Sequence, residues 1–88
     1  MKEYIIKQAI SKLSLNTKHK FTAMFFQGLL RKTSPQLKAI GELVQDIFVQ
    51  KVSLYEKTMS IEGANLAATT DILALIYGED KEQENKNG

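Results

Sequence analysis

The sequence predicts an all-α fold: a small four-helix, bundle-like domain with a long third helix, completed by dimerisation. Apolar residues recur at spacings of three and four along most of the 88-residue chain, which holds only one proline. No stretch shows the alternation of apolar and polar residues that is typical of a half-buried strand. A chain of this length buries only about 60 to 65% of the surface that it exposes when unfolded. It also has no cysteine, so no disulfide supplements the core, and self-association is a remaining source of stability.

We expect a single helical domain over residues 1–78, which begins with a helix over residues 2–13. Isoleucine, alanine and leucine side chains share one face of that helix. Asn16 is the predicted N-cap of a second helix over residues 17–32, because its side-chain oxygen can accept a hydrogen bond from a free amide of the first turn. Apolar side chains spread over more than half of the circumference of this second helix, which indicates that it packs against two neighbours.

Ser34 and Pro35 predict the start of the third helix. Serine is a good N-cap, and proline at the first helical position loses only an N–H group that would have no partner within the helix. The apolar spacing continues to residue 58, so this helix would be roughly 36 Å long at about 1.5 Å per residue. Such a helix is long for the packing partners that one small chain can supply.

Gly63 predicts a break after the third helix, and Asn65 is the predicted cap of a fourth helix over residues 66–77. The fourth helix contains a single charged residue and is followed by Gly78, a residue type that commonly terminates helices. Residues 79–88 contain no apolar side chain, and this composition predicts a disordered acidic tail.

The second and fourth helices are too apolar around their circumference for the surface of a monomer, and the third is longer than one copy requires. We therefore expect a homodimer. The candidate residues for self-association lie on the third and fourth helices: Leu37, Ile40, Val44, Phe48, Val52, Tyr55, Leu73 and Ile76.

Charge is divided unevenly between the two halves of the chain, although the net charge is only +2. Residues 1–38 contain eight lysines or arginines and one acid, a net charge of +7. Residues 39–88 contain four basic and nine acidic residues, a net charge of −5. This asymmetry indicates contact with a nucleic acid, with an acidic protein surface, or with the protein's own acidic half across an oligomer interface.

Catalytic chemistry finds little support in the residue types present. The chain has no cysteine nucleophile, and its one histidine, His19, lies between two lysines with no acid nearby in the sequence to orient it. The five glycines are isolated and form no phosphate-binding loop. One histidine without cysteine cannot build the usual zinc site. We therefore expect neither an enzyme nor a cofactor.

The basic half of the chain supplies a candidate surface for a polyanion or a protein partner. For any single member the alternative is an ordinary solvated helix end, where a lysine or arginine complements the helix dipole. The candidate residues are Lys18, His19, Lys20, Gln27, Arg31, Lys32 and Lys38.

A nucleic-acid-binding regulator is the alternative function, with Lys18, Lys20, Arg31, Lys32 and Lys38 as its contacts. The second and third helices can be drawn as a helix-turn-helix. Against this interpretation, Gly28 falls inside the predicted second helix rather than in the turn between the two helices. The predicted third helix is also long and apolar for an element that reads a DNA groove.

No transmembrane segment is expected, because the longest uncharged run, residues 21–30, has about half of the length required. Lysines and glutamine interrupt any signal-peptide hydrophobic region, so we expect a cytoplasmic protein. The apolar face of the first helix is needed for the core, which disfavours contact with a membrane surface. The predicted function is a non-catalytic helical interaction protein, acting as an adaptor, inhibitor or regulator. It would self-associate and dock on a protein partner, favoured over nucleic acid, through a basic and apolar surface.

Overall fold

The computed structural model describes residues 2–78, which fold into four α-helices and one 3-10 turn. Met1 and the predicted tail over residues 79–88 lie outside the described residues. The all-helical class and the long third helix are confirmed. The elements are α1 (Lys2–Ser11), α2 (Leu15–Gln27), the 3-10 turn (Leu30–Lys32), α3 (Pro35–Tyr55) and α4 (Ile61–Tyr77).

The packing of α3 against α4 forms the centre of the molecule, and α1 packs on both of these helices. The 3-10 turn after α2 contacts α3 at Gly41, and the first half of α2 reaches the end of α4 at Tyr77. The second half of α3 and the first half of α4 therefore receive less cover from α2 than the opposite end of the pair.

The core is drawn from every α-helix and contains no buried polar side chain among the described residues. Fully burying a large aliphatic or aromatic side chain contributes about 1.5 to 3 kcal/mol, so this cluster provides most of the stability of the fold. Its members are Ile6, Ile10, Phe21, Leu37, Ile40, Val44, Ile47, Ile72, Leu75 and Ile76.

Four residues predicted to lie between two copies belong instead to the core of one chain. Leu37, Ile40, Val44 and Ile76 are at most 6% exposed, so they present almost no surface to a second copy. The physical reason is that α4 covers this face of α3 within the same chain. These four side chains stabilise the monomer fold.

The bounds of α2 differ from the prediction at both ends. Ser14, not Asn16, is the N-cap, because its hydroxyl oxygen accepts a hydrogen bond from the Thr17 amide at 3.2 Å. The helix ends at Gln27 rather than at residue 32, since Gly28 adopts a left-handed conformation with φ of 74°. Glycine takes this conformation without the steric cost that a Cβ atom imposes.

The bounds of α3 and α4 also differ in part. The start of α3 is confirmed, with Ser34 as the N-cap and Pro35 at the first position, but the helix ends at Tyr55 instead of residue 58. α4 begins at Ile61, so Gly63, the predicted break, and Asn65, the predicted cap, both lie inside the helix. Ser60 is the cap, because its hydroxyl oxygen accepts a hydrogen bond from the amide of the third helical residue at 3.1 Å.

Replacing the true cap of α4 should destabilise the protein, whereas replacing the wrongly predicted cap should not. Ser60→Ala removes the acceptor for a first-turn amide and is expected to cost about 1 kcal/mol, which lowers the melting temperature by about 4 to 8 °C. Asn65→Ala is the matched control, since Asn65 is exposed within α4 and alanine is the better helix former. Thermal unfolding followed by circular dichroism measures both, and equal losses would contradict the assignment.

Candidate interaction surfaces

The predicted basic surface is divided by the fold into two patches. Lys18, His19 and Lys20 lie in the first two turns of α2, whereas Arg31 and Lys32 lie in the 3-10 turn. Of the other two predicted residues, Lys38 lies near the second patch in the first turn of α3, and Gln27 lies at the end of α2, between the two patches. Lys20, the last basic residue of the first patch, lies about 10 Å along the helix axis from Gln27 at the end of α2.

The outward side of α2 combines apolar and basic groups, and we call it the α2 face. Leu15 and Phe26 are 61% and 42% exposed, although both are large apolar residues. At 100° per residue they share about 140° of the helix circumference with three exposed polar residues. The α2 face consists of Leu15, His19, Lys20, Phe26 and Gln27.

His19 also has a structural partner. Its Nδ1 atom and the Tyr77 hydroxyl are hydrogen-bonded at 2.7 Å, and the two ring centroids are 5.4 Å apart. This contact joins the first half of α2 to the last turn of α4. It therefore fixes the orientation of the α2 face relative to the central pair of helices.

A groove runs along α3 beside the 3-10 turn. Its first part has a volume of about 380 Å³ and is lined by Phe25 and Leu30, by the cations of Arg31 and Lys38, and by the carboxylates of Glu42 and Asp46. The turn approaches α3 closely because Leu30 lies against Gly41, where a Cβ atom would overlap the leucine side chain. A larger residue at that position would displace the turn and change the groove.

A second part of the groove, of about 260 Å³, lies between α3 and the first half of α4. Phe48, Val49 and Val52 line it, and Gln45 lines both parts. The two parts therefore form one furrow along one side of α3. A row of six side chains, which we call the α3 stripe, follows this furrow: Lys38, Glu42, Gln45, Val49, Val52 and Glu56.

Sequence reasoning found only part of the α3 stripe. It assigned Lys38 to the basic surface and Val52 to self-association, and it named none of the other four members as a candidate. The alternating spacings of four and three were already present in the sequence. What was missing was the position of α4, which decides the side of α3 that remains uncovered.

The other candidates for self-association are partly accessible. Phe48, Val52 and Tyr55 are half-buried, and Leu73 is 36% exposed on α4. Phe48 packs against the core cluster and also lines the furrow. These four residues retain surface that a second copy can cover.

The connection between α2 and α3 is longer than in a helix-turn-helix. Seven residues, 28–34, separate the two helices, against three or four in that motif. The sequence predicted that Gly28 lies inside α2, but in the structure this residue ends the helix. The exposed side of α3 also carries the Glu42 carboxylate and the apolar Leu43, and neither group favours contact with phosphates.

A polar cluster outside the furrow joins α1, α3 and α4. The ammonium group of Lys51 lies 3.5 Å from a carboxylate oxygen of Glu3 and 3.8 Å from one of Asp71. The Tyr55 hydroxyl donates a hydrogen bond of 2.6 Å to the same Asp71 oxygen. Partly exposed ion pairs contribute little stability, so this cluster mainly fixes how the three helices are oriented.

A search of protein families, of curated proteins and of solved structures found no match to this chain. Within residues 2–78, no helix has the length and apolar character needed to cross a membrane. The same part of the chain holds no group of three or more histidine or acidic side chains placed to bind a metal ion.

The hydrogen bond to Asp71 raises the pKa of Tyr55 above its ordinary value of 10.0, with smaller contributions from burial and from the charge of Asp71. The pKa of Tyr55 is therefore higher in the folded than in the unfolded state, so its hydrogen bond to Asp71 stabilises the fold fully at pH values below the ordinary pKa. This stabilisation is lost as pH rises through the raised pKa. Asp71→Ala should therefore shift the tyrosinate absorbance titration to lower pH. Tyr55→Phe identifies the step that belongs to Tyr55, and an unchanged titration in Asp71→Ala would contradict the hydrogen bond.

Proposed function

We propose that the protein is a non-catalytic helical interaction protein, an adaptor, inhibitor or regulator, that self-associates and docks on a protein partner. The observation that carries this proposal is the presence of large apolar side chains on two separate surfaces, each bordered by charged groups. Those surfaces are the α2 face and the α3 stripe. The first is assigned to the partner and the second to a further copy of the chain.

The α2 face has the composition of a docking surface. Leu15 and Phe26 expose apolar area that water solvates poorly, and aromatic anchors beside basic groups are common at the centre of protein interfaces. Lys20 is exposed on the same side of the helix. A complementary partner has an apolar pocket with an acidic rim, because such a rim pairs with the lysine while the pocket receives the phenylalanine.

Self-association is supported by apolar side chains that α2 leaves uncovered near the junction of α3 and α4. Val49 is 53% exposed, and Val52 on the same side of α3 is half-buried. A chain of this size has a small core, so covering such residues with a second copy would add stability that the single chain lacks.

Nucleic-acid binding remains the alternative function, and the basic residues near the 3-10 turn are its support. Arg31, Lys32 and Lys38 are all exposed and can neutralise phosphates. The long connection between α2 and α3 and the carboxylate of Glu42 weigh against a helix-turn-helix reader. Protein docking is therefore the function that the geometry favours.

Disrupting the α2 face should abolish partner capture. We expect the tagged chain to retain a stoichiometric protein partner from an extract of its source cells, through nuclease treatment and moderate salt. Lys20→Glu reverses the charge of the face, and Phe26→Ser removes its aromatic anchor, so each should reduce recovery by about tenfold or more. Quantitative mass spectrometry of the captured proteins measures this change.

Lys12→Glu is the control for that experiment, because it makes the same change of charge at an exposed position outside the α2 face. Recovery of no protein partner, or equal recovery by all variants, would count against the proposal. Fluorescence anisotropy with DNA and RNA at low salt tests the alternative. Binding that weakens steeply with salt would instead support nucleic-acid recognition.

Self-association is tested separately by sedimentation of the purified full chain at micromolar concentration. We expect a species of twice the 9.9 kDa chain mass. A single species of the chain mass at every concentration would reject the dimer and leave partner docking unaffected.

A further inference from the structure

We infer that two copies pair in antiparallel orientation along the α3 stripe, so that Lys38 of each copy lies opposite Glu56 of the other. This inference rests on the proposed self-association and specifies its surface, direction and register. The occupant of the furrow along α3 is thus a second copy of this chain.

The spacing of the α3 stripe is that of a coiled-coil seam. Its six positions follow one another at intervals of four, three, four, three and four residues, which keeps them on one side of a helix that packs along a second helix. The stripe extends one residue past α3, since Glu56 keeps helical backbone angles and its amide donates to the Val52 carbonyl oxygen at 2.9 Å. All members are exposed except Val52, which is half-buried.

Charge decides the direction of pairing. In a parallel pair Lys38 would face Lys38 of the second copy, and Glu42 and Glu56 would each face a like charge. In an antiparallel pair the basic end of one stripe lies against the acidic end of the other. Because a twofold axis repeats every contact, the favourable pairing of Lys38 with Glu56 occurs twice.

The register follows from the same positions. If Lys38 lies opposite Glu56, then Glu42 lies opposite Val52 and Gln45 opposite Val49, so that every member of the stripe has a counterpart. Shifting the second copy by one heptad places Lys38 opposite Val49. That shift leaves Val52 and Glu56 without counterparts and loses both ion pairs, which disfavours it.

The charge at the ends of the furrow supports this arrangement. Arg31 lines the first part of the furrow together with Lys38, so a second cation lies near the position that receives Glu56 of the second copy, although Glu42 and Asp46 line this part as well.

Cysteine cross-linking tests the direction of pairing, because the chain has no cysteine of its own. Along an antiparallel pair, two copies of position 38 are separated by about 27 Å, beyond the roughly 7 Å limit between the Cα atoms of a disulfide. Lys38→Cys alone and Glu56→Cys alone should therefore form no disulfide-linked dimer under mild oxidation. A mixture of the two variants should form one.

A charge-exchange series tests the same contact without cysteine. Lys38→Glu and Glu56→Lys should each raise the dimer dissociation constant by roughly tenfold, since each replaces two attractive contacts by repulsive ones. The double variant K38E/E56K should restore most of the affinity. Lys12→Glu is the control outside both surfaces, and circular dichroism checks that each variant stays folded.

Val49→Glu tests the apolar centre of the stripe and should raise the dissociation constant by about tenfold or more, whereas Leu54→Glu, off the stripe, should leave it unchanged.

A monomeric wild-type chain would reject the proposed self-association itself. A dimer that is insensitive to the charge exchange, or that forms Lys38→Cys homodimers, would overturn the antiparallel register alone. Recovery of a heterologous helical protein on the stripe of a monomeric chain would assign the furrow to that partner instead.

Discussion

The packing of α3 against α4 is the contact on which the rest of this structure depends. It buries Val44 and Ile72 completely and provides the platform on which α1 and α2 lie. Because α2 ends at Gln27, it is too short to cover α3 along its whole length. Apolar side chains in the second half of α3 therefore remain at the surface, where a monomer gains nothing from them.

The charged side chains influence how helices are oriented more than how strongly they associate. Exposed ion pairs contribute little free energy individually, but like charges placed opposite each other exclude an arrangement. In the proposed dimer, the apolar residues of the α3 stripe would provide contact area, whereas Lys38 and Glu56 would distinguish one orientation from the other. In the polar cluster around Lys51, ion pairs between unlike charges join three helices within one chain.

The two proposed surfaces lie on different helices, the first on α2 and the second on α3. A twofold pair formed through α3 presents two copies of the α2 face, and each is held to α4 of its own chain by the contact between His19 and Tyr77. Two identical docking surfaces on one dimer increase avidity for a partner that itself has repeated sites. Self-association and docking would then strengthen each other.

The sequence alone determined the helical class, the start of α3 at Ser34 and Pro35, and the opposed charges of the two halves, because spacing, capping chemistry and charge are local properties. It placed two caps at asparagines, since the serines and asparagines at these sites are equally able to accept a first-turn hydrogen bond. Which apolar residues form the core was decided by tertiary structure. Leu37 and Val49 are both apolar residues of α3, but α4 and its neighbours cover only the first, since burial depends on where the other helices lie.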